Sequence, residues 1–232
     1  MILRKFEDIE RWLNSYLISD YSIVPDERYG HIVHCSGDVH IMCMERNLGV
    51  KFGYVAGNFI LHNGNLKSLL GSPDAVGGNF DCANNSIVSL QYLTKYIGGS
   101  VDCSDNCLRN LKYCNENIYG SFNCSQNWLS SLEHGPVKVN GDFDASENML
   151  ESLRYCPQYI KNNMYLMVNA IDYLALDELP KFLGEFIDLS ANPLKIDEQI
   201  NCLASVVAKL ESEALKQIIN DKKQDKHIVL KL

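Results

Sequence analysis

Asparagine recurs along this chain at a fixed step of 21 residues, at positions 85, 106, 127, 148 and 169. The residues around each asparagine recur with it, in the pattern x-Φ-x-Cys-x-x-Asn-x-Φ-x-x-Leu, where Φ is apolar. Strict repetition at such a period indicates a solenoid, in which each repeat is one coil that buries its apolar side chains against its neighbours. The 232 residues therefore form one elongated unit rather than two ordinary domains.

Five columns of residues keep one register through the repeats, and this template is that of a leucine-rich repeat. The first apolar column holds Phe59, Phe80, Val101, Phe122, Phe143 and Met164, the cysteine column holds Leu61, Cys82, Cys103, Cys124, Ala145 and Leu166, and a later column holds Val76, Ile97, Ile118, Val139 and Ile160. We predict an α+β solenoid of leucine-rich-repeat type, with a parallel β-sheet and helical caps at both ends.

A glycine precedes each short strand, as at Gly78 and Gly99, and lets the chain turn into it. Side chains alternate along a strand, so the phenylalanine and cysteine columns point inward and the residues between them point outward. Each asparagine follows as the chain leaves the strand, where its buried amide can bond backbone groups that otherwise lack partners. Gly64 takes this position in the first full repeat, so the ladder starts one coil later.

We predict four segments. Residues 1–52 form an N-terminal cap with a helix over about residues 3–18, a hairpin and a degenerate first repeat. Residues 53–195 form the repeats, 196–220 a capping helix, and 221–232 a polar tail. The last run, 227–232, is either a strand added to a sheet edge, which its pattern favours, or a disordered tail.

The apolar face of the first helix holds Phe6, Ile9, Trp12, Leu13, Tyr16 and Leu17.

Charge is concentrated in the repeats. The chain has a net charge of −8, and residues 53–192 hold 8 Lys/Arg against 15 Asp/Glu. This balance disfavours nucleic acid and favours a basic partner.

No apolar run approaches the ~20 residues of a membrane span, and the start lacks a signal-peptide core, so we expect a cytoplasmic protein. The nine cysteines are an odd count, and those in the repeat column read as small buried hydrophobes in a reducing compartment.

Three segments, 77–85 (GGNFDCANN), 120–127 (GSFNCSQN) and 141–148 (GDFDASEN), with Gly-Ser-Pro at 71–73, resemble leucine-rich-repeat proteins of tailed bacteriophages. The likeness covers about residues 37–210. It implies a phage protein that binds a host protein inside the infected bacterium, including host anti-phage defences such as the BREX restriction system. In later coils, other residues stand where the first has Gly-Ser-Pro, namely Leu93-Thr94, Cys114-Asn115 and Cys156-Pro157. This departure from the family pattern suggests a surface fitted to one partner, and relaxed selection would produce the same departure.

The outward-facing column of the predicted sheet is the candidate binding site. It reads Ile60, Asp81, Asp102, Asn123, Asp144, Tyr165 and Asp188. Neighbouring carboxylates on adjacent strands repel, and we expect the fold to gain nothing from them. The functional interpretation is a contact face for a basic host protein, with Tyr165 and Met167 as anchors at one end. The alternatives are a solubilising surface, packing of the apolar ends under a cap, or a homodimer interface.

A second column holds Tyr92, Tyr113, His134 and Tyr155, just past the repeat leucine. These side chains form either an aromatic contact ridge or stacked scaffold packing.

Enzymatic chemistry finds little support. The group of His34, Cys35, His40 and Cys43 lacks zinc-ligand spacing, and Cys107, Cys114 and Cys156 have no identifiable base. No phosphate loop is present. We therefore expect a non-enzymatic protein-binding module without cofactor, metal or small-molecule substrate. The competing interpretation is a structural protein that self-associates through the sheet face or the C-terminal strand.

Overall fold

The computed structural model describes residues 2–175, 178–194 and 229–231. In chain order, the elements of this part are α1 (Phe6–Ser15), β1 (Tyr21–Asp26), β2 (Gly30–Cys35), β3 (Val39–His40), β4 (Phe52–Val55), β5 (Phe59–Ile60), β6 (Ala75–Val76), β7 (Phe80–Asp81), β8 (Tyr96–Ile97), β9 (Val101–Asp102), β10 (Asn117–Ile118), β11 (Phe122–Asn123), β12 (Lys138–Val139), β13 (Phe143–Asp144), β14 (Tyr159–Ile160), β15 (Met164–Tyr165), β16 (Phe182–Leu183), β17 (Phe186–Asp188) and β18 (Val229–Lys231).

The strands that start each repeat, together with the C-terminal strand β18, form one nine-stranded sheet, in the order β18-β17-β15-β13-β11-β9-β7-β5-β3. Every pairing in it is parallel, and each strand pairs with the equivalent strand of the next coil, for example Phe80 with Val101. We call this the front sheet. The predicted solenoid with a parallel sheet is therefore confirmed, and it makes about seven turns.

The return limb of each coil forms a second row of strands, which the sequence pattern did not predict. Strands β4, β6 and β8 continue from the hairpin β1-β2, and β10, β12, β14 and β16 form a separate four-stranded sheet. These rear strands contain the column that runs from Val76 to Ile160, whose side chains are buried. Each coil is thus flattened between two rows of two-residue strands.

The core lies between these rows. Phe52 contacts Phe59 with 5.1 Å between ring centroids, and Phe59 contacts Phe80 at 5.7 Å. Cys82, Cys103 and Cys124 are fully buried, and burial raises the pKa of each thiol well above its ordinary value. The prediction that these cysteines act as small hydrophobes is confirmed.

The asparagine ladder bonds the backbone of neighbouring coils, as predicted. The Nδ2 group of Asn106 donates to the carbonyls of Cys82, Cys103 and Ser104 at 2.9–3.3 Å. The ladder starts at Asn85, whose Oδ1 accepts the N–H of Leu66 in the coil that carries Gly64. Asn192 continues it in the last coil, although the step there is longer.

The repeat glycines are required by close approach between coils rather than by a turn. A Cβ on Gly78 would lie 2.5 Å from Asn58 Oδ1 and 3.0 Å from the carbonyl carbon of Gly57. Among the glycines of the described residues, only Gly30 and Gly71 have a left-handed φ.

The N-terminal cap covers the first coil. Helix α1 buries Ile9 and Leu13, and Trp12 packs on Phe52 with 6.3 Å between ring centroids. The helix is shorter than predicted, and the placement of Leu17 on its buried face is wrong. Leu17 follows the helix with a φ of 55° and is 90% exposed, because the backbone reverses there and buries Ile18 instead.

The hairpin and the degenerate first repeat are both present. Strands β1 and β2 pair antiparallel, and β3 pairs in parallel with β5. The predicted capping helix at 196–220 lies outside the described residues. The final run includes a strand, since β18 pairs in parallel with β17 and Lys231 is the register partner of Asp188.

Candidate protein-binding face

The seven residues predicted as a contact column lie side by side across the front sheet. Their Cα partners run from Ile60 through Asp81, Asp102, Asn123, Asp144 and Tyr165 to Asp188 without a break. We call this row the outward column. Neighbouring strands of a sheet lie about 4.8 Å apart, so the column presents one side chain per coil at that spacing.

The carboxylates of this column also serve the fold, and the expectation that the fold gains nothing from them is wrong. In each coil that carries Asp or Asn in this column, Oδ1 accepts the backbone N–H two residues further on, as Asp102 accepts from Ser104 at 2.9 Å. Asn123 makes the same bond to Ser125. This local bond pairs an N–H where the chain leaves the strand, so Asp and Asn serve equally well. The other donors of the set are Ala83, Ser146 and Ser190.

The second carboxylate oxygens differ in their surroundings. Oδ2 of Asp81 lies 3.0 Å from Nδ1 of His62, and Oδ2 of Asp102 accepts from Asn123 Nδ2 at 3.3 Å. Asp144 is partly buried. Burial raises the pKa of its carboxyl group, hydrogen bonds from Ser146 oppose the shift, and the charge of Asp102 adds to it.

The coils of the front sheet from β5 to β17 are acidic, and β18 at the edge adds Lys231 as the register partner of Asp188. The front-sheet segments 57–65, 78–86, 99–107, 120–128, 141–149, 162–170 and 185–192 contain no Lys or Arg. Their acidic residues are Asp81, Asp102, Asp105, Asp142, Asp144, Glu147, Glu185 and Asp188. This distribution of charge is present in the sequence. It is seen only when the charged residues of the front-sheet segments are counted separately from those of the rest of each coil.

The two ends of the column are not equivalent. Tyr165 is partly exposed and packs edge-on against Phe186 at 5.5 Å between ring centroids. Met167 lies two residues beyond the column, and its N–H donates to Ser146 Oγ. Asp188 is only 9% exposed, so it is the least accessible residue of the predicted set. Ile60 is partly exposed at the opposite end.

The aromatic column has an unusual backbone. Gly71 begins it with a φ of 103°, and the later members keep a left-handed φ of 66–73°, namely Tyr92, Tyr113, His134 and Tyr155. This conformation disfavours any side chain with a Cβ. All four side chains are exposed, and within the described residues none of their rings stacks on another aromatic ring. The stacking of these aromatic side chains on one another is therefore absent among the described residues, and both the scaffold and the contact-ridge interpretations stay open.

Among the candidate metal and thiol groups, His34 and Cys43 make hydrogen bonds, and His40 and Cys107 are exposed. His34 Nδ1 accepts the N–H of Tyr54, and Cys43 contacts the carbonyls of Glu45 and Asn47. No group of three or more His, Cys, Asp or Glu side chains in the described ranges is arranged to hold a metal ion.

Burial raises the pKa of Cys114 and of Cys156 to about 12. Both therefore remain thiols at neutral pH, and the thiolate is the nucleophilic form.

Comparison with protein-family models, with curated proteins and with solved structures finds no match for the chain. Among the described residues, no helix has both the length and the apolar character needed to cross a membrane. Inference about the function of this protein therefore rests on its fold and its surfaces.

Proposed function

We propose that the protein is a non-enzymatic protein-binding module whose contact face is the outward column of the front sheet. The observation that carries this proposal is the charge of that face, where the front-sheet segments from residue 57 to residue 192 hold eight acidic residues and no Lys or Arg. A predominantly acidic face favours a basic partner and speeds their encounter. The expected partner is a protein with a basic surface.

The local hydrogen bonds support this proposal because they fix the side chains before any partner arrives. Oδ1 of Asp81 and of Asp102 is held by a backbone N–H, which restricts the rotation of each carboxylate. Binding then costs less side-chain entropy. Ile60 and Tyr165 supply apolar contacts at the two ends of the row.

The resemblance to phage leucine-rich-repeat proteins extends the proposal. In that setting the protein acts in the cytoplasm of an infected bacterium and inhibits a host anti-phage defence protein, for which a component of the BREX system is one candidate. The leucine-rich-repeat type of the coils belongs to the same proposal, and it rests on the repeat template of the sequence. Self-association through the front sheet or through β18 remains the alternative, favoured by the position of β18 at the edge of that sheet.

Asparagine substitutions test the proposed face without disturbing the fold. Asn123 shows that an amide makes the same local bond, so Asp81→Asn/Asp102→Asn/Asp144→Asn removes charge and keeps the local bonds to the backbone N–H groups, while the bond from Asn123 Nδ2 to Asp102 is lost. The measurement is affinity capture from bacterial host lysate with identification of the retained proteins. We expect the triple variant to lose a partner that the wild type retains.

The matched control removes three exposed carboxylates elsewhere, with Glu10→Gln/Glu133→Gln/Glu151→Gln. If the outward-column variant retains the same partners as the wild type, the outward column is not the contact face. If both variants lose the partner, the overall net charge of the protein explains the loss. Sedimentation of the wild type distinguishes the alternative, since a dimer that dissociates in the outward-column variant would assign this face to self-association.

A further inference from the structure

A small pocket lies where the N-terminal hairpin meets the first coils of the rear limb. Its volume is about 190 Å³. The turn between β1 and β2 contributes Arg28 and Tyr29, the residue before β4 contributes Lys51, and the loop before β8 contributes Tyr92 and Lys95. Leu70, Pro73 and Leu93 add apolar walls, and Gly71, Ser72 and Asp74 complete the lining.

The charge of this pocket is opposite to that of the chain. The lining holds three cations and the carboxylate of Asp74, a net charge of +2 in a protein of net charge −8, and Asp26 is a second carboxylate within range of Lys51. Among the described residues, Arg28 and Lys95 form no ion pair. The guanidinium of Arg28 lies over the ring of Tyr29 at 5.2 Å, which orients the planar donor group.

Lys51 is the central cation. Its Nζ donates to the carbonyl of Ser72 at 2.5 Å and to Asp74 Oδ1 at 2.9 Å, so within the described part of the chain two of its three N–H groups have partners. Burial lowers the pKa of Lys51, the carboxylates of Asp74 and Asp26 oppose this shift, and the nearby charge of Arg28 adds to it. Arg28 and Lys51 therefore lie close enough to repel each other, and the two carboxylates offset part of that repulsion.

A buried hydroxyl lies beside this group. Ser72 is 3% exposed, and its Oγ has no hydrogen-bond partner within the described part of the chain. An unpaired buried hydroxyl carries a desolvation cost, and this one belongs to a residue that lines the cationic pocket.

We propose that this pocket binds a phosphate monoester, with its oxygens on Arg28, Lys51 and Lys95 and its organic body between Tyr29 and Tyr92. A phosphate dianion matches the net charge of the lining, and a tetrahedral group offers separate oxygens to cations that come from three chain segments. A carboxylate has one charge and two oxygens and satisfies this set only in part. This inference does not depend on the proposed function of the front sheet.

Titration calorimetry with phenyl phosphate at low salt tests the site on the full chain. We expect saturable binding with one site per chain, weakened roughly tenfold or more by Arg28→Gln or by Lys95→Gln, since each removes a charge-assisted bond. Both side chains are exposed, so neither change should affect folding. Lys112→Gln is the matched control, because Lys112 is an exposed cation of the rear limb outside the pocket.

Absence of saturable heat up to about 10 mM phenyl phosphate would overturn the proposal, as that limit corresponds to negligible affinity. Equal weakening by Lys112→Gln, or benzoate binding as tightly as phenyl phosphate, would also overturn it. Two further probes carry the same phosphate monoester group. Adenosine monophosphate represents a free metabolite, and a phosphotyrosine peptide represents a modified protein side chain. Tighter binding of either one supports the site and identifies the source.

Discussion

The side-chain oxygen of Asn106 accepts the backbone N–H of Ile87 at 2.9 Å, across the gap between two coils. The same side chain donates to three carbonyls, so one buried amide satisfies four backbone groups. Repetition of this arrangement in successive coils holds the turns at the end of the front sheet together.

Replacement of Asn106 by alanine should destabilise the protein strongly. It leaves one N–H and three carbonyls without this partner in a buried place, and we expect a loss of about 3–5 kcal/mol in the free energy of unfolding. Urea unfolding followed by circular dichroism measures it. Asn117→Ala is the control, because Asn117 is exposed and should change stability by less than about 0.5 kcal/mol. Equal effects of the two changes would contradict the scaffold role of the ladder.

Val168 occupies a backbone position that disfavours it. It has a φ of 54° and is 52% exposed, in a column where earlier coils carry Asn63 and Asn84 at similar angles. Asparagine tolerates this region better than a β-branched residue, so Val168→Asn should stabilise the fold by about 0.5–1 kcal/mol. Thermal unfolding tests this. Val88→Asn is the control, since Val88 is equally exposed and lacks a left-handed φ. If Val88→Asn stabilises the protein as much as Val168→Asn does, the gain comes from placing a polar side chain on the surface and not from the backbone conformation.

Asp144 should make stability depend on pH in a specific direction. Burial raises its pKa in the folded protein above the ordinary value of 3.8. The ionised carboxylate is therefore penalised by folding at neutral pH, and the penalty disappears below about pH 3.8, where the group is protonated in both states.

We accordingly expect Asp144→Asn to raise the melting temperature at pH 7 and to have less effect as the pH falls through the folded pKa. The amide keeps the bond to the N–H of Ser146, as Asn123 does in its own coil. Asp105→Asn, at an exposed position of the same face, serves as the control. A stabilisation that stays constant from pH 7 to pH 4 would exclude titration of Asp144 as its cause.

Much of this architecture could be predicted from the sequence, because a strict period fixes which residues face inward. The buried phenylalanine and cysteine columns, the asparagine ladder and the outward column all follow from alternation and repeat length. The rear strands could not be predicted in the same way, since a two-residue strand such as Tyr96–Ile97 leaves only one inward residue per coil. That single apolar position is equally compatible with a turn or a helix.

The chemistry of the surfaces was harder to predict than the fold. The local bond from Asp102 to the N–H of Ser104 depends on how the chain leaves the strand, which a list of residues does not specify. The cationic pocket brings together Arg28, Lys51 and Lys95, which are far apart in sequence and follow no repeat. Only the folding of the hairpin against the first coils places them side by side.

Tyr113 provides a test of whether the aromatic column serves the scaffold or a partner. Its φ of 73° suits glycine, and its ring is 64% exposed. Tyr113→Gly should therefore relieve about 1 kcal/mol of backbone strain and leave the melting temperature unchanged or higher.

The matched change is Tyr173→Gly, since Tyr173 is 61% exposed and has no left-handed φ. There the added chain entropy of the unfolded state should cost about 0.4–1 kcal/mol. If both changes lower the melting temperature equally, the Tyr113 ring contributes packing that outweighs its strain. If only Tyr173→Gly does so, the fold gains nothing from the tyrosine at 113, and the exposed ring is free to act in recognition, where aromatic side chains are enriched.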